Sequence, residues 1–189
     1  MIDRLARFAW SPGGGVLIGL WAFAEAILLP IVPDVALLPL VAAAPRAAPR
    51  LVLGLIVGAL VGSAILAWLA IVDATWVRSL LAALPGMDAS TFPAVEADLT
   101  AHGASAFAAF GPGIPLKVYT TAWVGASGSP LVLAGAVVLN RLTRIGPGIV
   151  LAALIGYLAP EALRRHERVA LAAYALGWIG LYLVYWRAV

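Results

Sequence analysis

The sequence predicts an all-α integral membrane protein: two opposed re-entrant helical hairpins plus about three transmembrane helices, arranged as an inverted repeat. Three observations predict it. The composition is 63% hydrophobic and 11% charged, with a mean hydropathy of +1.03, whereas soluble domains run about 45–50% apolar and about 25% charged. Two apolar stretches each carry a Pro-x-x-Pro core, Pro30 to Pro33 and Pro112 to Pro115. The arginines cluster in segments that a hairpin reading brings to one side of the membrane. At 189 residues, one membrane domain over 1–189 is expected.

Residues 1–12 read as a basic, aromatic lead-in (Arg4, Arg7, Phe8, Trp10) that anchors at the interface. Gly13 to Gly15 loosen the passage into the membrane. The run 16–44 is long enough to span, about 20 residues being needed. Pro30 and Pro33 argue against a single helix. Each removes a backbone donor and biases the residue before it away from helix. The expectation is a hairpin: helix 16–29 enters, 30–34 turns and helix 35–44 returns. Freed backbone at that depth persists only where protein or a wet cavity satisfies it, so the break itself points to a site. A cleaved signal peptide is the competing reading. Its apolar region runs about 7–15 residues, and this run is longer and is broken by Glu25 and Asp34.

Residues 51–72 form a charge-free span with Gly54, Gly58 and Gly62 on one face, spaced for close helix contact. Residues 73–103 are polar and amphipathic. They hold a short interfacial helix near Trp76 to Leu84, a turn at Pro85-Gly86 and a surface helix over 93–102 with Val95 and Leu99 on one face. Residues 104–127 repeat the first design as a second hairpin, with Lys117 after its prolines. A span over 130–158 is interrupted by Arg141, Arg144 and Gly146-Pro147-Gly148. After a charged loop, a last span covers 169–186. Its aromatic residues (Tyr174, Trp178, Tyr182, Tyr185, Trp186) read as an interface belt.

Charge placement tests this layout. With two hairpins, the N-terminus, loop 45–50 and loop 159–168 share one side, bringing together Arg4, Arg7, Arg46, Arg50, Arg164, Arg165 and Arg168. The opposite side receives Arg78 and Arg187 with Asp73, Asp88, Glu96 and Asp98. That asymmetry predicts a cytoplasmic N-terminus. A spanning 16–44 puts the N-terminal arginines and loop 45–50 on opposite sides and breaks the rule.

A charge inside a bilayer costs about 2.5–3.5 kcal/mol on insertion scales, so charges within apolar runs are candidate site residues. Arg141 lies about eleven residues into its span, near the centre of a core about 30 Å thick at about 1.5 Å per residue. Arg144 follows one turn later, with Asn140 alongside. Two guanidinium forks at this spacing suit a phosphate. Lys117 reaches the same cavity or snorkels to the interface. Two readings stand for the basic residues: they bind substrate, or they pair with Glu25 and Asp34, although a buried ion pair is weak as pure stability. Glu25 and Asp34 are the candidate proton carriers. Tyr119, Thr120 and Thr121 line the cavity or satisfy broken backbone, and Asp73 is interfacial.

The chain has no cysteine, which excludes disulfides, a thiol nucleophile and Cys-ligated metals. Its two histidines, His102 and His166, fall in predicted loops. No cofactor, metal or nucleic-acid partner is expected. The expected function is transport rather than enzymology. The rivals are a carrier of another small anionic solute or ion, an intramembrane lipid-modifying enzyme with Asp34 as nucleophile, and a structural subunit.

Phe23-Ala-Glu25, Pro30-x-x-Pro33-Asp34, Pro115-Leu-Lys117-Val-Tyr-Thr, Gly125 and Arg141-x-x-Arg144, in this order and spacing, resemble the DedA family. Its members are also called SNARE-associated or VTT-domain proteins. The likeness is closest to its short YqaA-like branch and covers roughly residues 16–158. The resemblance implies a multi-pass protein of the bacterial inner membrane with opposed re-entrant hairpins. It also implies flippase-type transport of an anionic lipid, undecaprenyl phosphate or a glycerophospholipid, driven by protons. The family's acids map onto Glu25 and Asp34 and its bases onto Lys117, Arg141 and Arg144. Asp34 stands where glutamate is commoner, and Lys117 where much of the family has arginine. A homo-oligomer is left open.

Overall fold

The first helix, α1 (Ile2–Trp10), is amphipathic and buries Ile2 and Ala9. In the computed structural model, which describes residues 1–85, 87, 90–108, 114–126 and 128–187, it is followed at once by α2 (Pro12–Ile27). Pro12 opens that helix from its first turn, where a missing N–H costs nothing. Gly13 to Gly15 are therefore helical, and the loose entry expected there is corrected. Gly14 is bare because α1 packs back on it: a Cβ there would lie 2.5 Å from Phe8 O.

The chain leaves helix at Leu28, and residues 28–33 belong to no helix. Then come α3 (Asp34–Ala43), a 3-10 turn (Pro45–Ala47) and α4 (Ala48–Val72). Pro33 sits at the N-terminal boundary of α3. The interruption starts two residues before Pro30, consistent with a proline's restriction of the residues ahead of it.

α5 (Ala74–Ala82) is capped by Asp73, whose Oδ1 accepts from Trp76 N at 2.8 Å. Asp73 thus has a structural task at the head of a helix. α6 (Thr91–His102) buries Phe92, Val95 and Leu99 and leads into a 3-10 segment (Gly103–Ala108). α6 packs on α7 (Leu116–Gly125) instead of only lying on a surface. α8 (Pro130–Leu158) is one unbroken helix. The interruption expected at Gly146-Pro147-Gly148 does not occur, because a lone proline removes only one intrahelical bond. The chain ends in α9 (Pro160–Arg165) and α10 (Glu167–Arg187). No strand occurs among the described residues. Among the described residues three segments are long and apolar enough to cross a membrane: Pro45–Val72, Pro130–Leu158 and Glu167–Tyr185.

Glycines set the central packing. A Cβ on Gly54 would lie 2.4 Å from Gly15 O, one on Gly58 2.0 Å from Gly19 O, and one on Gly62 2.7 Å from Phe23 O. The matched residues advance together along both helices, so α2 and α4 run parallel at backbone contact. The intervening α3 must travel back. On its other side, α3 meets α8, with Leu38 against Gly148 and Ala42 against Gly156.

The two ends of the molecule differ in charge. At one, the Met1 amino group pairs with Glu167 at 2.8 Å, Arg164 meets Asp3 at 3.7 Å, and Arg50 Nη1 donates to Trp10 O at 2.6 Å. At the other, Arg78 pairs with Glu96 and stands 5.0 Å over the Phe92 ring, while His102 meets Asp98 at 2.8 Å.

Alanine at Gly58 forces α2 and α4 apart and is expected to destabilise the protein by about 1–3 kcal/mol, as overpacking does. Gly135→Ala, where nothing lies within 4 Å, is expected to be neutral or stabilising by up to about 1 kcal/mol. Thermal unfolding of both variants in detergent checks this.

Candidate functional site

Five charged residues singled out by the sequence come together around the interruption between α2 and α3. Glu25 lies in the last turns of α2, two residues before the helix ends. Arg141 reaches it from α8, and the two form a salt bridge with both side chains buried. Asp34 opens α3 within electrostatic reach of Arg141, Glu25 and Arg144.

Lys117 enters from α7. Pro115 holds an extended conformation (φ −63°, ψ 148°) and starts that helix, whose first two turns are buried on every side, from Leu116 to Ala122. Lys117 is 1% exposed and its Nζ donates to Leu29 O at 3.0 Å. It does not snorkel. The ammonium meets the carbonyl end of α2, where the helix dipole favours a cation. Arg144 Nη1 makes a long contact, 3.4 Å, with Ile114 O just before Pro115. Asn140 Nδ2 donates to Phe107 O at 2.8 Å. Lys117 thus satisfies a carbonyl set free where α2 ends, and Arg144 reaches one in the non-helical residues ahead of α7. Pro30 lies inside the break, Pro33 and Pro115 adjoin helix starts, and Pro112 falls outside the described residues.

The residues left open by the sequence divide. Tyr119 donates to Asp98 Oδ2 at 2.7 Å, tying α7 to α6, and Thr121 bonds back to Lys117 O at 2.9 Å. Thr120 is fully buried with its hydroxyl unpartnered. Asp34 Oδ1, Asn140 Oδ1 and Arg141 Nε are also buried without a hydrogen-bond partner among the described residues. Unsatisfied buried polar atoms are uncommon, so several in one region mark capacity for a ligand or water. Three cations face two carboxylates, so the cluster carries a net positive charge suited to an anion.

Sequence reasoning missed an aromatic contribution. Tyr174 donates to Asp34 O at 2.8 Å, and the Tyr182 hydroxyl accepts from Val32 N at 2.8 Å. Trp178 lies between them, stacked on the Tyr182 ring at 5.8 Å and edge-on to Tyr174 at 6.3 Å. The two tyrosine hydroxyls tie α10 to the break, a task that the interface-belt reading did not foresee. The spacing of the three aromatics by four residues, which lines up one helix face, was the available signal. Trp21 Nε1 likewise donates to Ile31 O at 2.9 Å.

Among the described residues no group of three or more His, Asp or Glu is placed to hold a metal ion. No family model matches this chain, and neither a curated protein nor a solved structure is significantly similar to it.

Removing Glu25 strands a guanidinium that cannot shed its charge. Glu25→Ala is therefore expected to cost about 3–5 kcal/mol. Arg141→Ala is expected to cost less, since a stranded carboxylate can take a proton. Pairing Glu25→Ala with Arg141→Met should restore part of the loss. Urea titrations of the three variants in detergent read this order directly.

Proposed function

We propose that this chain is a DedA-like membrane transporter that moves an anionic lipid between leaflets, with undecaprenyl phosphate or a glycerophospholipid as cargo. The observation that carries the reading is the convergence of buried Lys117, Arg141 and Glu25 with half-buried Arg144 and Asp34 around interrupted helices. Ionisable groups held at membrane depth, facing inward, mark substrate and proton paths. Discontinuous helices with a polar site between them are the architecture in which transporters place such paths.

Several features support the finer layout. α2 and α3 are about 24 Å and about 15 Å long at about 1.5 Å per residue, both short of a core about 30 Å thick. The parallel course of α2 and α4 suits a re-entrant hairpin that enters and leaves on the arginine-rich side. α3 lies on α8 and α7 lies on α4. The arm after each interruption thus packs on the long helix of the other half, as an inverted repeat requires. The excess of arginine at one end suits a cytoplasmic N-terminus in a bacterial inner membrane.

In this mechanism a phosphate headgroup enters the cluster sideways while its hydrocarbon stays in the bilayer. Lys117 and the two arginines hold the phosphate. Arg141 exchanges Glu25 for the phosphate, and Glu25 and Asp34 take up the protons that keep the site near neutrality. Release on the far side returns the protons and restores the Glu25–Arg141 pair. The lipid leaves chemically unchanged.

Proteoliposomes loaded with undecaprenyl phosphate or with a bulk phospholipid test this. Wild type is expected to move the carrier lipid. Arg141→Ala/Arg144→Ala is expected to reduce the rate about 100-fold or more, the effect of losing converging charge contacts. Glu25→Gln/Asp34→Asn is expected to remove the response to a pH gradient. A wild type that moves neither lipid but carries a soluble organic phosphate sinks the lipid reading, and unchanged transport in the double acid variant sinks the proton role.

A further inference from the structure

A second feature stands apart from the charged cluster. Between α10 and the α1–α3 face runs an open cavity of about 660 Å³. Its walls include Leu5, Val35, Pro39, Leu171, Ala175 and Trp178. Along α10 it extends from Leu171 to Leu183, about 18 Å at about 1.5 Å per residue. α10 is held to the rest of the molecule here by the two tyrosine hydroxyls, from Tyr174 to Asp34 O and from Val32 N to Tyr182. The rings act as spacers, so the groove stays open between two apolar walls.

Helical register places two arginines just beyond one end of the groove. Met1, Leu5 and Phe8 line it from α1, and Arg4 belongs to the same helical stripe, three residues after Met1 and four before Phe8. On α10, Arg168 precedes Leu171 by three residues and Ala175 by seven, again on the groove face. Both arginines are exposed. Their sequence neighbours Asp3 and Glu167 are engaged elsewhere, Asp3 with Arg164 at 3.7 Å and Glu167 with the Met1 amino group at 2.8 Å.

We infer that this groove binds the hydrocarbon chain of an anionic phospholipid whose headgroup rests on Arg4 and Arg168. An apolar slot ending in exposed cations matches the two chemistries of such a lipid, apolar burial for the chain and charge attraction for the headgroup. A second copy of this chain fits the groove poorly. A two-fold dimer in a membrane keeps both chains the same way up and sets Arg4 and Arg168 level with their own copies. The site is distinct from the buried cluster. It rests on the proposed function only for the class of ligand.

The test uses the full chain in mild detergent with equal amounts of dioleoyl phosphatidic acid and dioleoyl phosphatidylcholine, read by native mass spectrometry. Wild type is expected to retain phosphatidic acid at least about tenfold over phosphatidylcholine, the preference two surface cations confer. Arg4→Gln/Arg168→Gln is expected to abolish that preference. Ala175→Trp and Ala36→Phe fill the groove and are expected to lower retention about fivefold or more. Leu176→Trp, on the outward face at 67% exposure, is expected to retain lipid as wild type does. Equal retention of the two lipids by wild type, or unchanged retention in both groove-filling variants, overturns the inference, as does a dimer that holds no lipid. Should the filling variants fail to fold, the exposed arginine pair decides. Headgroup-selective retention without lipid translocation defeats the transport reading alone, and translocation without selective retention defeats the groove alone.

Discussion

A peptide group that leaves a helix inside an apolar slab has to find its partner within the protein, because the bilayer core supplies none. Residues 28–33 leave helix among apolar helices, and their peptide groups draw partners from all around them. Leu29 O receives Lys117, Ile31 O receives Trp21, Val32 N finds Tyr182, and Asp34 O receives Tyr174. The partners come from α2, α7 and α10, so three separate parts of the chain are fixed in place by one short interruption. The break serves as the hub on which the other helices are hung.

The same constraint explains why charges are concentrated there. A cation carried to this depth is costly unless it replaces a missing helical donor. Lys117 does so at Leu29 O, and Arg144 ends at the non-helical carbonyl of Ile114. Arg141 is neutralised by Glu25. This leaves Asp34 near the arginines with an unpartnered oxygen, and Arg141 with an unpartnered Nε. The cluster is thus stable enough to exist and incompletely satisfied, the condition under which an anion or a proton can exchange with it. The glycine contact between α2 and α4 supports this geometry from behind, since backbone contact at Gly19 and Gly58 fixes the height of Glu25 relative to α4.

Much of the helical layout was legible in the sequence because membrane helices are written in long apolar runs and are punctuated by proline. The span expected over 130–158 matches α8, and α4 begins only three residues ahead of 51. Gly54, Gly58 and Gly62 announced a close contact without naming the partner. The weaker readings were those that depended on partners distant in sequence. Gly13 to Gly15 looked like a flexible entry, and Gly146-Pro147-Gly148 looked like a break. The first is helical and its bareness serves two neighbours, with Gly14 against Phe8 of α1 and Gly15 against Gly54 of α4. The second stays helical because one missing donor is tolerated in a long helix packed on α3.

The sequence by itself determined that this chain is helical and apolar enough for a membrane, that its helix is interrupted at Pro30 and Pro33, and which charged residues fall within apolar runs. Composition, proline chemistry and the cost of buried charge are local properties, and they need no neighbours. Only the tertiary structure decided how those charges are shared. Glu25 and Arg141 are separated by 116 positions in the chain, and nothing in either segment says that they meet, or that Lys117 goes to a carbonyl while Asp34 is left with a free oxygen. The aromatic stripe of α10 was placed by the same logic. Tyr174, Trp178 and Tyr182 suit a membrane interface equally well by composition. Their assignment to the break follows from where α10 lies, which is set by packing across the whole fold.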